Sequence, residues 1–165
     1  MKILIIGHGG HGKDALADIW EKYFGLTHIS SSVAANHIFL FNDLKDIYGY
    51  KTHEECFNDR VNRRAEWYDR ILEYNKDNKA RLAGNILKKV DCYVGMRNKE
   101  EFDECVKQKL FDIIIWIDAS KRLKEEPNTS FTIDKSHADI IIENNDSYED
   151  FEKKAIRIGK IIFKK

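Results

Sequence analysis

Short apolar runs alternate along the chain with segments in which apolar residues recur every three or four positions. That alternation predicts the element order. Lys2–Ile6 is a continuous, β-branched run and reads as a buried strand. Ala15, Leu16, Ile19, Trp20 and Phe24 then fall at helical spacing over 14–24, with Gly25 as a C-cap. Leu26–Ser30 reads as a second strand. Ser31 or Ser32 can cap a helix that runs through Ala34, Ala35, Ile38 and Phe39 to about Leu40. Tyr48-Gly49-Tyr50 is a turn, and Thr52 to Glu55 has the form of a capping box. It opens a polar helix over 54–74 with the apolar stripe Phe57, Val61, Ala65 (or Trp67), Tyr68, Ile71 and Leu72. A further helix starts at Asp77 or Asn78 and reaches Leu87. Val90–Val94 reads as the third strand, and Asn98 caps a helix over 99–109. Phe111–Ile117 is the most apolar strand of the chain. Ala138–Glu143 is the fifth, and Ser147 opens a final helix to about Ile162. Five strands separated by helices predict an α/β fold, a parallel sheet with helices on both faces. The stretch from about 31 to 89 holds no strand and reads as a helical insert.

The turn between the first strand and the first helix carries the chemistry. Gly7-His8-Gly9-Gly10-His11-Gly12-Lys13 is G-x-x-x-x-G-K in its required setting, after a buried strand and before a helix. Glycines allow positive φ and close backbone approach. Successive N–H groups then form an anion nest, and the following helix adds its positive end. Lys13 supplies a charge for the outer phosphates of a nucleoside triphosphate. Asp14 stands where a Ser or Thr that holds Mg²⁺ is usual.

Other cations gather at positions where the predicted topology would bring them to this loop. Arg97 leaves the third strand's carboxyl end, the side on which open α/β sheets bind ligands. Arg60, Arg63, Arg64 and Arg70 crowd one helix. They read either as a solvated face with ion pairs such as Arg63–Glu66 and Glu66–Arg70, or as a source of one or two inward phosphate ligands. Arg122, Lys124 and Lys135 flank the irregular 125–133 loop, with Pro127, and can close over phosphates.

Composition narrows the class. The chain has 165 residues, 42% hydrophobic and 34% charged, which suits one folded domain over 1–165. A formal net charge of zero argues against a nucleic-acid polymer as partner, and leaves a small nucleotide open. Cys56, Cys92 and Cys105 lack metal spacing and read as thiols in a reducing compartment. No run approaches a membrane span, and Met1 leads into a strand instead of a signal peptide, so a cytoplasmic protein with no membrane partner is expected.

The pattern resembles the P-loop nucleoside monophosphate kinases, and within them the phage-type deoxynucleoside monophosphate kinases. Gly12-Lys13-Asp14 is similar to that group's loop ending, and Arg97 matches its acceptor arginine. Asp118-Ala-Ser-Lys-Arg-Leu123 resembles the start of a short lid, over about 119–137. Asp139–Asn145 followed by Ser147–Phe151 resembles the last strand, base-side loop and final helix. The resemblance implies a three-layer P-loop NTPase fold with a five-stranded parallel sheet and a helical acceptor-binding insert. It implies ATP and Mg²⁺, small-molecule nucleotides as partners, and a monomer or homodimer. Gly7, Gly9, Gly10, His11, Gly12, Lys13, Asp14, Ala15 and Asn145 would then contact ATP, and Asp14 would serve the metal. Arg97 with Arg60, Arg63 or Arg64 would hold the acceptor phosphate. Lys13, Arg97 and Arg122 would carry the transfer. The chain departs from the group at Ala15, where Thr is usual, and at Tyr93, Val94 and Gly95, where an acidic residue is common. Asp14 and Asp118 are the nearest substitutes. Two other readings compete: another small-molecule kinase on this scaffold, such as a dephospho-coenzyme A or nucleoside kinase, and a non-catalytic nucleotide-binding or sequestering protein.

Overall fold

The computed structural model describes residues 1–125 and 131–164. Segment 126–130, with Pro127 and the middle of the expected lid, lies outside the described residues, as does Lys165. Strands β1 (Ile3–Ile6), β2 (His28–Ser30), β3 (Cys92–Val94), β4 (Ile113–Asp118) and β5 (Ile140–Glu143) form one sheet in the order β2-β3-β1-β4-β5. Every pairing is parallel.

Side-chain alternation divides the interior into two cores, because successive strand residues face opposite sides. Ile3, Ile5, Cys92, Val94, Ile115 and Ile117 face helices α1 (Lys13–Phe24) and α8 (Tyr148–Ile162). Leu4, Ile6, Tyr93 and Trp116 face the other helical layer. That layer comprises α2 (Ser31–Ala35), a π-helical turn (Asn36–Leu40), α3 (Phe41–Tyr48), α4 (His53–Asp59), α5 (Arg64–Tyr74), α6 (Arg81–Leu87) and α7 (Lys99–Lys107). The expected α/β architecture with helices on both faces is present. The stretch between β2 and β3 is helical, as the absence of strand patterning predicts.

Local differences have local causes. Ser30, one residue earlier than expected, caps α2 by accepting from the Val33 amide. The expected 54–74 helix is two helices joined by a 3₁₀ turn, Arg60–Asn62. No Gly or Pro breaks it. Instead Asp59 accepts from Tyr50 Oη, Asn62 Nδ2 and Arg63 Nε, which pins the turn from three sides. The predicted stripe holds at Trp67, the alternative to Ala65, which is buried; Val61 and Ala65 are exposed, and Tyr68 is half exposed. Helix α6 begins later than expected because Asn75 and Asn78 side chains accept the Leu82 and Ala80 amides, forming a turn before it.

Candidate functional site

Strand β1 lies between β3 and β4, so the chain leaves in opposite directions from its two flanks. A crevice opens at the carboxyl ends of such strands. The loop 7–12 exits there. Gly7 has φ +145°, and a Cβ on it would meet the Ile117 carbonyl oxygen at 2.6 Å. Only glycine lets this loop leave β1 alongside β4. Gly12, at φ +102°, caps α1, and a Cβ there would strike the Asn144 amide.

Lys13 is buried inside the loop's curve, where Nζ donates to the carbonyl oxygens of Gly7 (2.8 Å) and His8 (2.7 Å). His11 is fully buried. Its Nδ1 accepts from the Ala119 amide at 3.1 Å, which places the ring N–H on Nε2. That Nε2 has no hydrogen-bond partner among the described residues. The His11 carbonyl accepts from Asn144 Nδ2 at 2.8 Å. The loop is thereby stitched to the ends of β4 and β5.

Facing the loop is a basin of about 380 Å³. Gly9, Gly10, Lys13 and Asp14 line one side, and Ser30–Ser32, Arg60, Gly95 and Arg97 the other. It continues into a second basin of about 510 Å³, which shares Ser31, Ser32, Arg60 and Arg97 and adds Arg64 and Tyr68. Arg60 donates from Nη1 to Ser32 Oγ at 3.0 Å and lies over the Phe57 ring at 4.7 Å. Burial, then the charges of Arg64 and Arg97, hold its guanidinium below its ordinary value. Arg60 and Arg97 thus form a wall that faces the glycine loop across the first basin, and Arg64 joins them in the second, whose lining also includes Asp69.

Beyond that wall is a partly open cavity of about 90 Å³ between α5, the start of α6, β3 and α7. Leu72, Leu82, Tyr93 and Met96 are among its apolar lining. Its polar lining includes Asn75 and Glu101. Glu101 is 7% exposed and accepts from Tyr93 Oη at 3.1 Å. Burial pushes its carboxyl up to about 7, against the opposing pull of the Tyr93 hydrogen bond.

The predicted site residues do not all arrive at this cleft. Arg63 does not line it: its guanidinium bonds Asp59 and Tyr50 Oη and stacks on the Tyr48 ring at 3.4 Å. Asn145 accepts from the Lys121 amide, and its neighbour Asn144 makes the contact with the loop. Arg122 is exposed, with Nε donating to the Asn144 carbonyl at 2.7 Å. Asp14 is exposed in the first turn of α1, beside half-buried Ala15. Asp118 accepts from the Ser120 amide and pairs with Lys135 at 3.6 Å. Burial raises its carboxyl, yet Ser120 and Lys135 together bring it below the ordinary value. Lys124 is exposed. Among the described residues the group with metal-ligating spacing is Asp18, Glu21 and His28, which includes neither Asp14 nor Asp118. Sequence reasoning missed Asn144, the Ser30–Ser32 rim and Glu101. An Asn-Asn pair at a strand's carboxyl end beside the loop was a signal for Asn144. Glu101 looked like any acidic residue in a helix's first turn.

No protein-family model and no curated protein matches the sequence. Solved structures match in fold. Dephospho-CoA kinase from Campylobacter jejuni is 17% identical, with 98% of this chain and 96% of that chain covered and a TM-score of 0.58. Shikimate kinase from Aquifex aeolicus is 14% identical, covering 96% and 95%, with a TM-score of 0.53. Shikimate kinase from Bacteroides thetaiotaomicron is 8% identical, covering 98% of each chain, at 0.51. The chain shares with these small-molecule kinases a three-layer α/β fold around a five-stranded parallel sheet. No helix among the described residues is long and apolar enough to cross a membrane.

Proposed function

We propose that this protein is a nucleoside monophosphate kinase, transferring the γ-phosphoryl group of ATP to a (deoxy)nucleoside monophosphate. The observation that carries the reading is that Arg60 and Arg97 face Lys13 and the phosphate loop across one basin, with Arg64 beside them in the adjoining one. An uncharged acceptor such as a nucleoside needs no such wall. A phosphorylated acceptor does, because its charge must be balanced before it can approach a second polyphosphate.

The glycine loop suits the donor's phosphates: its positive-φ residues bring backbone N–H groups close, at the N-terminus of α1. Lys13 moves from the loop carbonyls onto the β- and γ-phosphates. An acceptor phosphate oxygen attacks the γ-phosphorus, the bond to the β–γ bridging oxygen breaks, and ADP leaves. Such transfer is mostly alignment and charge stabilisation. Arg97 with Arg60 or Arg64 aligns the acceptor. Arg122, held at the loop's edge by its bond to the Asn144 carbonyl, is assigned to the transferring group. Asp14 is the carboxylate on the basin side that can hold Mg²⁺ through water, because Asp118 is engaged by Ser120 and Lys135. The metal would neutralise charge on the phosphates.

A coupled assay for ADP, run across nucleoside monophosphates in ribo and deoxy forms, tests the reading. ADP formation that requires an acceptor, and falls at least roughly 100-fold in Lys13→Ala, is expected. Turnover of shikimate, gluconate, dephospho-coenzyme A or a nucleoside, with none for any monophosphate, would replace it with another kinase. ATP binding without any transfer would leave a sequestering protein.

A further inference from the structure

We infer that Glu101 reads the acceptor's base and selects an amino-substituted base over its oxo-substituted counterpart. The inference rests on the kinase reading above and names the substrate class within it.

The cavity that Glu101 lines opens directly from the arginine wall. It shares Ser31, Tyr68, Ile71 and Arg97 with the basin where the acceptor phosphate is placed. A phosphate held by Arg97 therefore leaves the rest of the acceptor pointing into this cavity. Its walls are the apolar faces of Ile71, Leu82, Tyr93 and Met96, which offer little to a polyhydroxylated acceptor; at about 90 Å³ it takes one edge of a flat ring, with the rest of the ring in the adjoining basin of about 510 Å³.

The polar groups in the cavity decide which ring. A carboxyl group has about four acceptor sites. The described contacts of Glu101 fill one, from Tyr93 Oη. Lys79, the lysine of the cavity wall, forms its ion pair with Glu100 at 3.2 Å. A buried carboxyl so sparsely satisfied calls for a donor from the ligand. The N–H of an exocyclic amino group supplies one. An oxo group at the same place sets oxygen against oxygen once the carboxyl is ionised, and leaves it unpaired. Asn75 completes the pattern: its Oδ1 accepts from the Leu82 amide, which leaves the Nδ2 donor for a ring nitrogen or carbonyl beside that amino group.

The test is kcat/KM at pH 8 for acceptor pairs that differ in this one group, CMP against UMP and AMP against IMP, with their deoxy forms. The wild-type protein is expected to favour the amino member by roughly tenfold or more. In Glu101→Gln, which both accepts and donates, the ratio is expected to fall at least fivefold, mainly through KM. Tyr93→Phe keeps the carboxylate and is expected to keep the direction of the preference. A wild-type ratio near one, or a ratio unchanged in Glu101→Gln while turnover persists, overturns the inference and leaves the kinase reading standing. Failure of every nucleoside monophosphate to be phosphorylated overturns both.

Discussion

Burial moves the Glu101 carboxyl from 4.5 to about 7, the Tyr93 hydrogen bond acting against it. The folded chain therefore holds this proton more tightly than the unfolded chain does. The associated stability is fully present below about 4.5 and is lost as pH rises through 7. At pH 8.5 the buried charge costs on the order of 3 kcal/mol relative to the protonated group. Glu101→Gln removes that cost, so its denaturation midpoint is expected to exceed the wild type's at pH 8.5 and to match it near pH 4.5. Equal midpoints at both values would show that the carboxyl is solvated. Gly12 makes the opposite case, of an atom the fold has no room for. Gly12→Ala strains a left-handed φ and drives a methyl into Asn144. It is expected to cost about 1–3 kcal/mol in chemical denaturation and to weaken ATP binding. Gly12 was legible in the sequence because spacing alone marks it. Glu101 was not, because Glu100 beside it reads identically and only the packing of α7 against β3 separates the exposed residue from the buried one.

At the scale of elements, strands and caps were readable where one face or one side chain dictates them. The Lys2–Ile6 and Phe111–Ile117 runs became β1 and β4, and Asn98 and Ser147 cap α7 and α8 as the patterns predict. The arginine-rich stretch was not readable. Its side-chain pattern suits one continuous helix, while the tertiary ties of Asp59 to Tyr50 and Arg63 break it. The break separates neighbours in sequence: Arg60 and Arg64 turn to the cleft, and Arg63 turns to Tyr48 and Tyr50. Arg63→Ala is therefore expected to lower the melting temperature while leaving the acceptor KM within about threefold. Arg64 is exposed, so Arg64→Ala should leave the melting temperature nearly unchanged, and Arg97→Ala is compared with it in kinetics. They should raise the acceptor KM at least roughly tenfold, as expected for loss of a charge-assisted phosphate contact. Steady-state kinetics beside thermal melts separates the two behaviours, and a reversed pattern would move the acceptor site to the other side of the α4–α5 turn.

At the scale of the whole molecule, the order β2-β3-β1-β4-β5 puts the glycine loop and Arg97, the proposed donor and acceptor ends, on adjacent strand ends. The phosphate loop follows β1, and Arg97 follows β3. One sheet thus fixes both halves of the proposed site, while α5 and the Ser30–Ser32 rim close it from the side. The sequence predicted this adjacency only as far as strand order could be guessed. Pairing β1 with both β3 and β4 depends on long-range registers such as Ile3 with Cys92 and Ile3 with Ile113. Two ligands bound side by side in such a cleft stabilise the folded state separately, each by about 2.7 kcal/mol at 100 times its Kd. For a chain of this size that is a rise of several degrees in melting temperature per ligand. A non-hydrolysable ATP analogue and a nucleoside monophosphate are accordingly expected to raise the wild-type melting temperature more together than either alone. Lys13→Ala should lose the analogue's shift and keep the monophosphate's, and Arg97→Ala should do the reverse. If both variants lost both shifts, the donor and acceptor ends would be one site, and the division of the cleft between β1 and β3 would be wrong.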